Sequence, residues 1–320
     1  MNENSFFKLF SHNIPVLGRD MSVVYNLQKS KLIYIPNSMF KVLDLMKQKT
    51  VKEVRANIDI ESLPLFDEYL IFLKKYDLGF FTLFPEEFPE MNMQWFSPNE
   101  IISAIIEYDA TDGGYDLSDA LNQLEDLTCF HIELRIKNAI APCLDRINQW
   151  TEGKIFKSIN IVIEYNASID NLLADFYKKN DKIDWILVYN AHKNSNKKSK
   201  DSIKYTSLSL SSKELIFPSD QYIISVKYFT EALQFHPLFN KKVCIDSLGN
   251  LKNDLRFHQS FGNINNLTIK AALQTTGLKD LWFAAPDKVI EYKDDVLRYC
   301  KLYTDNLEPV GDGYYKVARY

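Results

Sequence analysis

The sequence predicts an α/β protein: a winged-helix-like N-terminal domain, a partial parallel (β/α) barrel and a turn-rich C-terminal module. Three observations carry this. Between residues 6 and 90, short runs rich in β-branched and aromatic residues are interspersed with amphipathic helical patterns. From Glu100 strands alternate with helices across short turns, the signature of a parallel sheet. From about Phe235 the pattern changes again, around a hairpin signal at Ser247–Leu248–Gly249–Asn250. The expected boundaries are 1–92, 93–234 and 235–320.

In the first domain, Ile14–Gly18, Ser22–Leu27 and Lys31–Ile35 read as strands. Pro36–Asn37–Ser38 starts a helix that places Met39, Phe40, Leu43 and Met46 at helical spacing. Thr50 caps a second helix running to Ala56, and a third runs from about Leu63 to Tyr76. Gly79 stops it, and Phe80–Leu83 closes the unit as a strand. Pro85, Pro89 and Pro98 then mark a linker, because proline disfavours helix at the residue before it.

In the second domain, the near-continuous apolar run Ile101–Tyr108 suits a strand buried on both faces. Leu117–Leu127, Pro142–Trp150 and Ile169–Lys178 read as helices; Cys129–Ile136, Ser158–Tyr165 and Trp185–Tyr189 read as strands. Residues 192–204 form a polar, basic loop, followed by strand-like Tyr205–Leu210 and Tyr222–Val226.

Composition excludes several classes. The 320 residues are 46% hydrophobic and 25% charged, an ordinary globular balance, and the net charge of −4 gives no draw toward nucleic acid or an anionic membrane. No apolar run reaches the roughly 18 residues that span a bilayer, and the N-terminus has no secretory pattern, so a cytoplasmic location is expected. Cys129, Cys143, Cys244 and Cys300 are scattered with no C-x-x-C pair, which reads as four buried structural thiols rather than a local metal site.

Two groups of residues are candidates for chemistry. Asp109–Asp116 (DATDGGYD) follows the first barrel strand, where α/β folds bind ligands. Its carboxylates, Asp109 and Asp112 among them, suit a hard cation; they equally suit a Gly-Gly turn with Asp116 as helix N-cap. His131, Glu133 and Arg135 share one face of the next strand, a row able to bind a polar side chain or to form a structural ion pair.

Lys241–Asn253 (KKVCIDSLGNLKN), Ser260–Ile264 (SFGNI), Leu278–Trp282 (LKDLW), Asp287–Ile290 (DKVI) and Lys293–Asp305 (KDDVLRYCKLYTD) follow one another in an order and spacing that resemble the SPASM domain of peptide maturases. The resemblance is closest to the maturases of grasp-with-spasm systems, which act beside an ATP-grasp ligase on ribosomally made peptides. It implies that the barrel is of radical-SAM type. That family places cysteines where this chain has Asp254, Tyr292 and Asp295, while Lys293, Asp294, Arg298 and Tyr299 are kept. A C-x-x-x-C-x-x-C loop is also missing after the first barrel strand, and no cysteine occurs before residue 129. The implied protein therefore carries no cluster or other cofactor and is not a redox enzyme.

The segments YIPNSMFKVLDLM, TVKEV and DEYLIFLKKYDLGF resemble the PqqD-like leader-recognition domains fused to many maturases. Strand addition to an open sheet edge beside a helix is a recurring way to bind a peptide. Here the edge would be Leu32, Ile33, Tyr34 and Ile35, and the helix wall Tyr69, Phe72, Leu73 and Tyr76. Aromatic residues at that helical spacing equally suit a core. The expected role is a non-redox accessory protein that binds the precursor peptide, the ATP-grasp ligase, or both. The alternatives are an iron-independent enzyme using the barrel mouth, and a homo-oligomeric scaffold; a homodimer is among the expected partners.

Overall fold

The computed structural model describes residues 3–192, 202–210 and 222–318. Most of the expected basic loop lies outside them. The chain forms two compact units: Met1–Trp95 with Gln221–Pro237 and Ala284–Tyr320, and Phe96–Asp220 with Leu238–Phe283. The segment 235–320, expected as a third module, is divided between these two.

In the first unit, β1 (Phe6–Leu9) pairs antiparallel with β5 (Gly79–Thr82). Gly79 is required at that crossing, because a Cβ there would lie 2.2 Å from the Lys8 carbonyl oxygen. A separate sheet has the order β2 (Asn13–Val16), β3 (Ser22–Asn26), β4 (Lys31–Ile35), antiparallel throughout. Helices α1 (Asn37–Met46), α2 (Val51–Ala56) and α3 (Leu63–Lys75) cover one face. Their shared core includes Val24, Ile35, Met39, Leu43, Val54, Phe66, Tyr69 and Leu73. Thr50 and Glu53 form a reciprocal capping box at the start of α2.

The other face of this sheet is also covered. Val23, Tyr25 and Leu27 pack with Tyr228 and Phe229, from the helix Val226–Ala232, and with Tyr299 and Cys300. Tyr25 donates to the Val296 carbonyl at 2.6 Å. Every residue of β3 is therefore buried, as expected of a strand with cover on both faces. The expected strand Tyr222–Val226 is only a single bridge, Tyr222 to Lys301; Ser225 then caps the helix.

The second unit is a seven-stranded sheet, largely parallel. Its strands are β6 (Ser103–Asp109), β7 (His131–Lys137), β8 (Ser158–Glu164), β9 (Ile183–Tyr189), β10 (Ile203–Tyr205), β11 (Lys242–Ile245) and β12 (Leu251–Lys252). The spatial order is β10-β9-β8-β7-β6-β11-β12, and β12 alone runs antiparallel. Neighbours from β6 to β9 are consecutive in sequence. Right-handed crossovers then place all the connecting helices on one face. These are α4 (Leu117–Asp126), α5 (Ala141–Thr151), α6 (Ala167–Asp170) and α7 (Leu173–Lys179); one continuous helix was expected where α6 and α7 stand. Ile106, Leu134, Ile136, Ile161, Ile163, Ile186 and Val188 form the buried alternate positions of the strands. β10 is shorter than the expected Tyr205–Leu210 and begins earlier.

The segment expected to open the third module instead supplies β11, parallel to β6. Its four residues are all buried, so this strand is interior to the sheet. The hairpin to β12 turns at Gly249, φ 84°, with Asp246 accepting from the Leu248 and Asn250 amides.

Candidate functional site

The first candidate is the outer edge of β4, which no strand among the described residues pairs. Pro15 has no N–H, so its pairing with Val24 must be the non-hydrogen-bonded kind. Ile14 and Val16 then bond to Tyr25 and Val23, and the bond from the Leu27 amide to the His12 carbonyl (3.0 Å) keeps the same alternation. On β3 this leaves Ser22, Val24 and Asn26 to bond to Ile35, Ile33 and Lys31. The N–H and C=O groups of Leu32 and Tyr34 consequently point outward, away from β3. Along the opposite edge, Pro15 removes an outward donor, a common way of blunting a strand edge.

The eight residues expected at this edge fall into distinct places. Ile35, Tyr69 and Leu73 are buried core side chains, and the Tyr69 hydroxyl bonds to Ser38 Oγ at 2.6 Å. They cannot offer a surface to a partner. Ile33 and Phe72 are partly buried against the same core. Leu32 packs against the second core, on the other face. Tyr34 and Tyr76 are each 47% exposed, and Tyr76 packs against Phe72 with the rings tilted and their centroids 4.4 Å apart. Exposed Leu65 lies on the same flank of α3 as Phe72 and Tyr76, and was not anticipated. A 180 Å³ cleft lined by Phe7, Leu9, Ile14, Met91 and Met93, also unanticipated, lies beside the Pro15 edge.

The second candidate is the face of the parallel sheet opposite the helices. Register puts Glu107, Arg135, Val162 and Leu187 in one row; Asp109 with Lys137 and Glu164 with Tyr189 lie one pleat further on. Arg135 Nε donates to Glu133 Oε1 at 2.7 Å, and Lys137 Nζ lies 3.9 Å from Glu107. His131 is exposed at the amino end of β7, away from this row.

The acidic loop is occupied with its own backbone. Asp109 Oδ1 accepts from the Thr111 amide and hydroxyl and from the Asp112 amide, and Oδ2 accepts from Asn138. Burial opposes ionisation of Asp109, but these donors outweigh it and hold its pKa below the usual value. Asp112 is exposed, and Asp116 caps α4 through the Ser118 and Asp119 amides. The turn-and-cap reading describes this loop. Among the described residues, no group of three or more His, Cys, Asp or Glu is placed to hold a metal ion.

The residues at the family's cluster positions do not fit an iron–sulfur cluster, which takes soft thiolates. Asp254 is buried and accepts from Arg256 Nε at 2.8 Å and Nη2 at 3.1 Å, with Lys242 Nζ 3.8 Å away. Tyr292 donates to Asp305 at 2.6 Å and stacks on Tyr303, ring centroids 3.8 Å apart; Tyr303 donates to Asp295 at 2.9 Å. The four thiols are buried. Burial pushes Cys129 up to about 12 and Cys244 and Cys300 up to about 11, so they stay protonated at neutral pH.

Comparison with solved structures finds Streptococcus suis SuiB bound to S-adenosylmethionine (12% identity, TM-score 0.25) and SuiB bound to the precursor peptide SuiA (13%, 0.27). Each alignment covers 89% of this chain and 88% of the other. TM-scores this low carry no argument about fold or function. No family model matches the chain, and no curated protein matches it significantly. No helix among the described residues is long and apolar enough to cross a membrane.

Proposed function

We propose that this protein is a cytoplasmic, non-redox accessory factor in the maturation of ribosomally made peptides. It recognises the precursor peptide by strand addition to β4, and so brings it to an ATP-grasp ligase, raising the effective concentration of one for the other. The observation that carries the reading is the outward pair of main-chain groups at Leu32 and Tyr34, with the half-exposed ring of Tyr34 beside them. Main-chain bonds would supply affinity, and the flank of α3 with Leu65, Phe72 and Tyr76 would select side chains. The resemblance of residues 1–92 to leader-recognition domains and of 235–320 to SPASM modules supports the pathway. In this reading the parallel sheet is a partial barrel of radical-SAM type without a cluster loop, and the SPASM-like cluster positions Asp254, Tyr292 and Asp295 hold ion pairs and hydrogen bonds instead.

The test is isothermal titration of anaerobically purified protein with the precursor peptide encoded beside it, iron and zinc being quantified on the same sample. The expected result is metal-free protein that binds the leader segment with micromolar affinity. Stoichiometric iron would restore the redox reading. Metal-free protein without peptide binding would overturn recognition at β4 and leave a scaffold that binds the ligase alone.

A further inference from the structure

The strand order reverses between β6 and β11, because β11 follows β10 in sequence yet lies on the far side of β6. Open α/β sheets bind ligands beyond the carboxyl ends of strands at such a reversal. On the face opposite the helices, the last row paired across all four strands before their carboxyl ends is Glu107, Arg135, Val162 and Leu187.

Arg135 is the unusual member. It is only 7% exposed, yet its single hydrogen bond among the described residues runs from Nε to Glu133. Both Nη groups are left to form a planar two-donor fork, which matches a carboxylate. The surroundings select among anions. Glu133 is in contact with Arg135, Glu107 is its neighbour in the row, and Asp109 and Glu164 lie one pleat beyond; Lys137, on the same pleat as Asp109, has its Nζ 3.9 Å from Glu107. Four carboxylates against Arg135 and Lys137 still oppose a dianion such as phosphate and favour a cation placed beside the bound anion. Val162 and Leu187 continue the row as an apolar floor.

We propose that this face binds a free α-amino acid with an apolar side chain. Arg135 takes the carboxylate, Glu107 the ammonium group, and Val162 and Leu187 the side chain. The assignment is independent of peptide recognition at β4, which lies in the other unit.

The test is isothermal titration of the full chain with leucine, N-acetylleucine, leucinamide and inorganic phosphate. Leucine should bind. N-acetylleucine should bind about tenfold or more weakly, and leucinamide and phosphate should give no signal. Arg135→Met should weaken leucine by roughly 10–100-fold, the worth of hydrogen bonds to a charged group. Arg135→Lys keeps the charge beside Glu133 while removing the fork, and should weaken leucine comparably with an unchanged melting temperature. It decides the matter if Arg135→Met does not fold. No leucine binding at millimolar concentration, equal binding of phosphate, N-acetylleucine binding as tightly as leucine, or leucine binding unchanged in Arg135→Lys would overturn the proposal. N-acetylleucine binding as tightly as leucine would point instead to a peptide C-terminus.

Discussion

Asp254→Ala is expected to destabilise the protein by about 3–5 kcal/mol, the usual cost of removing one partner from a buried ion pair. Lys242 is 5% exposed, and its Nζ has Asp254 as its counterion with no hydrogen bond of its own. Arg256 loses both of its bonds to the same carboxylate. Chemical denaturation of wild type and variant measures the difference. Adding Lys242→Met should recover much of the loss, because an apolar pair of similar volume often equals a buried ion pair. The difference also depends on pH. Burial alone would raise the Asp254 pKa, but the Arg256 bonds and the Lys242 charge outweigh it and hold it below the ordinary 3.8. The stabilisation is therefore present above that value and lost as pH falls through the lowered one. Wild type and Asp254→Ala should converge in strong acid. A variant as stable as wild type at neutral pH would show that this carboxylate is not the fastener of the segment around β12.

Proline substitution along β4 is the second large effect, and it should alternate. Leu32→Pro and Tyr34→Pro each delete an N–H that points away from β3, so the β3–β4 ladder stays whole and peptide binding is lost. Ile33→Pro deletes an inward N–H, strands the Val24 carbonyl and disturbs a side chain packed on the core. It should cost about 2–4 kcal/mol in stability. Titration and thermal melting of the three variants separate the effects: binding lost with stability kept at 32 and 34, stability lost at 33. Peptide binding that survives in both Leu32→Pro and Tyr34→Pro would move the peptide away from this edge.

Local signals were legible in the sequence. Thr50 and Asp116 cap the helices they precede, because their side-chain oxygens accept amides within the same turn. The period of two placed Glu133 and Arg135 on one face of β7, where the structure joins them. Long-range pairing was not legible. Lys242–Ile245 is a short run without alternation, and nothing local shows that it lies parallel to β6, more than a hundred residues earlier. Phe6–Leu9 is too short to signal a strand without its partner β5. Around Tyr222–Val226, β-branched residues suggested a strand, although Ser225 carried the cap of the helix that forms there. On α3, helical spacing grouped Tyr69, Phe72, Leu73 and Tyr76, but core and binding stripes share that spacing. Packing against Ser38 and Val24 divides them into buried Tyr69 and Leu73 and exposed Tyr76.

Residue-resolved amide exchange by NMR, with and without the precursor peptide, tests strand addition at β4 most directly. The Leu32 and Tyr34 amides should exchange quickly in the free protein and become protected on peptide binding, while the Ile33 amide, already bonded to Val24, should change little. Peptide binding that leaves the Leu32 and Tyr34 amides unprotected would contradict recognition at this edge.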